Sequence, residues 1–195
     1  MWGKVKVTTP PAALPLLVAD LKRGLRVDHN EENEFLRDCL AQAVAMIDGP
    51  DGIGVALMAQ TWTLGLDGFA AEIRLPGDPV REITAVRYMD KTLAWQTLEA
   101  PAWRLITLRD PVRLVPAPGT AWPSTVAGIG TVEIEYALGA LERSQVSQSL
   151  LGAVRLLAGH FYENREALAV GITTSELPLG ARHILDGHRR GVVAG

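Results

Sequence analysis

The stretch VSQSLLGAVRLLAGHFYENR, residues 146–165, sets the architecture. Leu150, Val154, Leu157 and Phe161 recur at steps of four and three, with Leu151 and Ala158 beside them. That spacing is the apolar stripe of a helix facing a core. Arg155 and Glu163 fall off the stripe. Fully burying one such Leu or Phe is worth roughly 1.5–3 kcal/mol, so several of them anchor a domain. Ser147 and Ser149 are candidate N-caps, because a hydroxyl just before the periodic run satisfies free amides of the first turn.

Toward the N-terminus the helical pattern repeats. Leu17, Leu21 and Leu25 lie one turn apart and predict a short helix over 16–25, with Gly24 near its end. Asp28-His29-Asn30-Glu31 has the form of a capping box. The run after it, to residue 48, places Phe35, Leu36, Cys39, Leu40, Ala43, Val44 and Ile47 on one broad face, which predicts a second helix. Residues 1–13 read as an extended arm, since Pro10 and Pro11 disfavour a helix.

Between the helices the period changes. The glycine-rich GPDGIG, residues 49–54, stops the second helix and reads as a linker, because no Gly-Lys-Ser/Thr follows it as a phosphate loop requires. Large apolar groups then alternate in 61–66, and strands are also expected over 72–75, 82–89, 103–107, 113–115 and 131–137. In the last of these Val132, Ile134 and Tyr136 point one way and Glu133 and Glu135 the other. Prolines and glycines cut the region into lengths too short for parallel crossovers, so the sheet is expected to be antiparallel. The reading is α+β: a helical bundle (16–48) with an antiparallel β insertion (58–138), a long core helix (146–168) and an extended C-terminal tail (175–195), together one domain spanning 1–195. From Leu177 onward the tail carries Arg182, Arg189 and Arg190 against Asp186, and is expected to be docked on a partner or loose.

The composition narrows the function classes. A chain of 195 residues with 48% hydrophobic content is long enough for one sizeable core. Net charge is −3, so no global basic field argues for bulk nucleic-acid binding. The one cysteine, Cys39, excludes an internal disulfide framework and reads as a small buried apolar group. No apolar run has the length of a membrane span. Pro10, Pro11, Pro15 and Asp20 interrupt the faint likeness of the N-terminus to a signal peptide, so a cytoplasmic origin is expected.

No catalytic set, metal site or cofactor loop emerges. His160 and Glu163 are three apart on the long helix, yet no second histidine stands at zinc-helix spacing; they remain the pair on which an enzyme reading would rest. Ser175 has no adjacent base. Asp67, Glu72 and Asp78 read as turn residues. Trp62, Trp95, Trp103 and Trp122 are spread over the sheet without interleaved cations, which favours buried or subunit-contact roles over base stacking.

Four stretches carry a family resemblance: LKRGLRVD (21–28) leading to Glu31 and Glu32; QTWTLGLDGF (60–69) with EIRLP (72–76); VEIEYALG (132–139); and AGHFYENREAL (158–168) with ELPLG (176–180). In that order they resemble the head-tail connector, or adaptor, family of tailed bacteriophages and phage-like gene transfer agents. The resemblance implies a non-enzymatic structural protein of the particle neck, assembled in the bacterial host cytoplasm as a homo-oligomeric ring of twelve copies below the portal. Such a ring extends the channel for passing double-stranded DNA, without sequence-specific binding, no cofactor and no membrane contact, and meets stopper and tail proteins. On this likeness Leu177, Leu179, Arg182, Ile184, Leu185, Arg189 and Arg190 are the expected portal-binding residues, and Trp62, Trp95, Trp103 and Trp122 the expected subunit contacts. Another neck ring, a stopper or tail terminator, a small metal-dependent enzyme and a DNA-binding module are the competing readings.

Overall fold

The computed structural model describes residues 4–165 and 178–189. Its helices are α1 (Val18–Leu25), α2 (Asn33–Ala45), α3 (Gln148–Glu163) and α4 (Leu179–His188). The apolar stripe of α3 is buried as its periodicity predicts, with Leu150, Leu151, Val154, Leu157, Ala158 and Phe161 each at most 5% exposed. Opposite it lie Leu36, Cys39, Leu40, Ala43 and Val44 of α2, and Leu21 of α1. Among the described residues no helix is long and apolar enough to cross a membrane.

The helix ends differ from expectation. Three prolines and Leu17, extended at φ −84° and ψ 148°, delay α1 to Val18. The left-handed residue that ends it is Arg26, at φ 58°, and not Gly24. The capping box at Asp28–Glu31 does not form, because α2 begins only at Asn33. Lys22 explains the shift: its Nζ donates to the His29 carbonyl, to Asn30 Oδ1 (2.8 Å) and to Asn33 Oδ1 (3.1 Å), holding the polar run as a turn around one ammonium. Ser147 does occupy the N-cap position of α3, but its hydroxyl meets Ser149 Oγ at 2.8 Å and caps no amide.

The middle of the chain forms two antiparallel sheets. One has the order β1 (Lys4–Thr9), β2 (Gln60–Leu66), β8 (Val132–Leu138), β4 (Val80–Met89), β5 (Trp95–Thr97); the other runs β3 (Ile73–Arg74), β7 (Arg113–Pro116), β6 (Trp103–Ile106). The arm read as merely extended is thus an edge strand, paired with β2 from Lys4↔Gly65 to Thr9↔Thr61. Val132, Ile134 and Tyr136 are fully buried, while Glu133 and Glu135 on the other face meet Arg87 of β4 at 3.2 and 3.9 Å. Both sheets contribute to one apolar core, with Trp62, Leu64, Val86 and Ile134 from the larger and Ile73 and Leu114 from the smaller.

A second core belongs to the helices, and the two meet where the chain passes between them. Asp48, after α2, accepts from Leu57 N at 2.6 Å and from Gln60 Nε2 at 3.0 Å. Gln60 Oε1 in turn accepts from Trp62 Nε1 at 2.8 Å, so a relay of polar groups leads from the bundle into the sheet core. Gly139, leaving β8 at φ +84°, approaches Met58 so closely that a Cβ would lie 2.1 Å from its carbonyl oxygen. The glycine-rich linker folds back on itself: Gly49 N donates to Val55 O at 2.8 Å and Ile53 and Val55 are buried.

The expected tail is the largest departure. Residues 179–188 are helical and lie on α3, with Ala181 and Leu185 buried and Ile184 half-buried against the bundle. Ser149 Oγ meets His188 Nε2 at 2.8 Å. The i, i+4 pair of small and large apolar groups supplies a stripe narrow enough for the surrounding histidines and arginines to mask.

Candidate functional site

The most distinctive string of the sequence, HFYENR, closes a clamp on α2. Glu32, just before α2, accepts one hydrogen bond from the Tyr162 hydroxyl and another from the Arg165 guanidinium. The guanidinium also lies over the rings of Phe35, at 4.7 Å, and Tyr162, at 5.3 Å, a stacking suited to its planar, weakly hydrated cation. The Tyr162 hydrogen bond, followed by that from Arg165, holds Glu32 below the usual carboxylate range. His29 faces the same carboxylates, at 3.0 Å from Glu31 and 3.8 Å from Glu32. Every charged member is matched by another member of the cluster, so its work is fastening α2 to the end of α3. Two of the stretches that carry the family resemblance meet here, a pairing the sequence does not display because about 130 residues separate them.

His160 and Glu163 do lie together, on the wall of a cleft of about 380 Å³ lined also by Leu21, Leu25, Leu156 and Pro178. His160 Nδ1 stands 3.3 Å from Asn164 Nδ2. No tryptophan lines this cleft, and Trp62, Trp103 and Trp122 all belong to the sheet core. Among the described residues no group of three His, Cys, Asp or Glu side chains is placed to hold a metal. Cys39 is buried, and burial pushes its thiol up to about 11, away from the reactive thiolate.

The four tryptophans therefore separate. Trp62 is completely buried, bonded to Gln60, and offers no surface to a neighbour. Trp122 is half-buried, stacked on Phe69 at 4.6 Å and donating to Ala70 O at 2.7 Å. Trp103 is half-buried in the same core. Trp95 is 46% exposed, on the outer face of the larger sheet beside Met89. Near it Asp90 accepts from Thr92 N, Thr92 Oγ1, Ala94 N and Gln96 Nε2, so the β4–β5 turn is rigid and displays Leu93 to solvent. The Thr92 and Gln96 hydrogen bonds draw Asp90 down to about 2.

The expected portal-binding set divides in the same way. Leu185 is buried in the chain's own bundle and Ile184 half-buried, while Leu179 is 82% exposed and Arg182 and Arg189 face solvent. Leu177 and Arg190 lie outside the described residues.

No protein-family model matches the chain, and no curated protein does. Solved structures of gene transfer agent (GTA) particles do. A chain in the virion of a native GTA particle is 26% identical, with a TM-score of 0.74 over 95% of this chain and 94% of that one. A chain in the neck of an empty GTA particle, computed with C6 symmetry, is 25% identical, with a TM-score of 0.74 over 95% of each. A third, in the neck of a native GTA particle computed with C12 symmetry, is 24% identical at a TM-score of 0.69 and shares the fold.

Proposed function

We propose that the chain is a structural subunit of a particle neck, forming a homo-oligomeric ring in a gene transfer agent or related tailed particle. The observation that carries this reading is the likeness to a GTA neck chain over 95% of both chains, helices and sheets together. In finer terms the ring is the adaptor, of twelve copies, between portal and stopper, extending the DNA channel. A closed site for chemistry is not needed for such work, and the matched polar clusters of this chain serve its own helices and sheets. The mild net charge of −3 suits a conduit that lets a duplex slide past without gripping it.

On this reading the outward face of α4, with Leu179, Arg182 and Arg189, meets the portal, and Leu185 holds that helix on the bundle. Trp95 is the tryptophan left for contact between copies. Removing the chain from a particle-producing strain tests the role: DNA-filled heads and separate, complete tails are expected. Normal tailed particles would contradict it. Chemical cross-linking in intact necks then distinguishes the rings, since an adaptor links to portal and stopper, and a tail terminator links to neither portal nor DNA-filled head.

A further inference from the structure

The larger sheet is open at both edges, and the two edges are unlike. On one side β1 carries Lys4 and Lys6, both exposed and without an ion pair among the described residues. They sit opposite Gly65 and Thr63 and so point to the outer face of the sheet. On the other side β5 covers β4 only from Arg87 to Met89, and Leu98 N reaches Val86 O. Residues 81–85 of β4 have no strand on that side among the described residues. They form a window of roughly 15 Å whose exposed side chains are Glu82 and Thr84, with Arg81 half-buried between them and Val80.

We propose, on the ring reading above, that β1 of one copy pairs with this window of β4 in the next copy. A ring requires a heterologous contact, in which one surface meets a different surface on its neighbour. Two edges of one sheet meet that requirement. Every adjacent pair in the sheet is antiparallel, so β1 runs opposite to β4 and parallel to β5. A copy turned about the ring axis keeps that sense, and its β1 enters antiparallel to β4, end to end with β5. Exposed edges invite indiscriminate pairing, and lysines and bulges blunt it. Here β1 has its lysines and β4 two register shifts, at Val80/Glu82 and Ile83/Ala85. Like edges repel or misfit, while Lys4 and Lys6 find an opposite charge in Glu82, which specifies head-to-tail contact.

Charge reversal and cysteine pairing test this in intact particles and in purified protein. Glu82→Lys alone, and Lys4→Glu with Lys6→Glu, should each raise the concentration for half-assembly at least tenfold, and the combined reversal should recover most of that loss. All three sites are exposed, so circular dichroism and the melting temperature should stay at wild-type values. Lys6→Cys with Glu82→Cys, oxidised in assembled necks, should give a ladder of linked copies, and neither single variant should give dimers. A neck that contains the chain as a ring, with no ladder and unchanged assembly of the reversals, would overturn the edge pairing and leave the ring standing. A neck without the chain would overturn the ring itself.

Discussion

Two polar clusters fasten this molecule, and they work in opposite dielectric settings. Asp48 sits at the seam between the helical and sheet cores, held by Leu57 N and Gln60, which continues to Trp62. Burial is the dominant influence on it and raises its carboxyl above the ordinary 3.8, against the pull of the two hydrogen bonds. Glu32 fastens α2 to α3 at the surface, and there hydrogen bonds from Tyr162 and Arg165 win, lowering it below 4.5. The same side-chain chemistry thus makes a seam that favours the proton and a clamp that favours the charge. The interior cluster sets how the two cores meet, and the outer one fixes a helix end.

The contrast is broken most severely at the buried end of the seam. Trp62→Ala removes a fully buried ring and leaves Gln60 Oε1 without its donor; a loss of about 3–5 kcal/mol in unfolding free energy is expected by denaturant titration. Asp48→Ala leaves Leu57 N, of a residue 2% exposed, without its acceptor and should cost about 1–3 kcal/mol.

The two carboxylates respond to pH with opposite signs. Asp48 is raised in the folded chain, so its contribution is fully present below 3.8 and is lost as pH rises through the folded value. Asp48→Asn should remove a stability slope that falls with pH over that window. Glu32 is lowered, so its contribution is present above 4.5 and lost as pH falls through the folded value. Glu32→Gln should remove a slope of the opposite sign. The melting temperature of Glu32→Gln should fall less than that of Asp48→Ala, and the difference from wild type should shrink in high salt, because the clamp is solvated.

The smallest effect on stability belongs to the face of α4. Leu179→Asp with Arg182→Glu should leave the unfolding free energy within about 1 kcal/mol of wild type and abolish co-sedimentation with portal-bearing heads. Unchanged binding would remove this face from the portal contact.

How far the sequence is legible follows the same physical line. Period-3.6 and period-2 patterns need only local apolar spacing, and they locate α2, α3, β2, β4 and β8 within a few residues. What local spacing leaves out is partnership. Lys22 draws the polar run 28–32 out of a helix start, and no capping rule contains Lys22. The strand β1 is short, lysine-bearing and followed by prolines, and becomes a strand because β2 accepts it. In α4 the buried pair Ala181 and Leu185 is apparent only once α3 is beside it. The candidate surfaces suffer most, since a tryptophan reads the same in a core as on a face: Trp62 ends fully buried and Trp95 46% exposed.

On the proposed reading this chain works as one copy among many in a particle neck. Electron microscopy of intact necks, reconstructed with and without imposed symmetry, tests it most directly. The expected image is a ring of twelve copies of this fold directly below the portal, with α4 on the portal side. A neck complete without this fold, or the fold as a single isolated copy away from the channel, would contradict it.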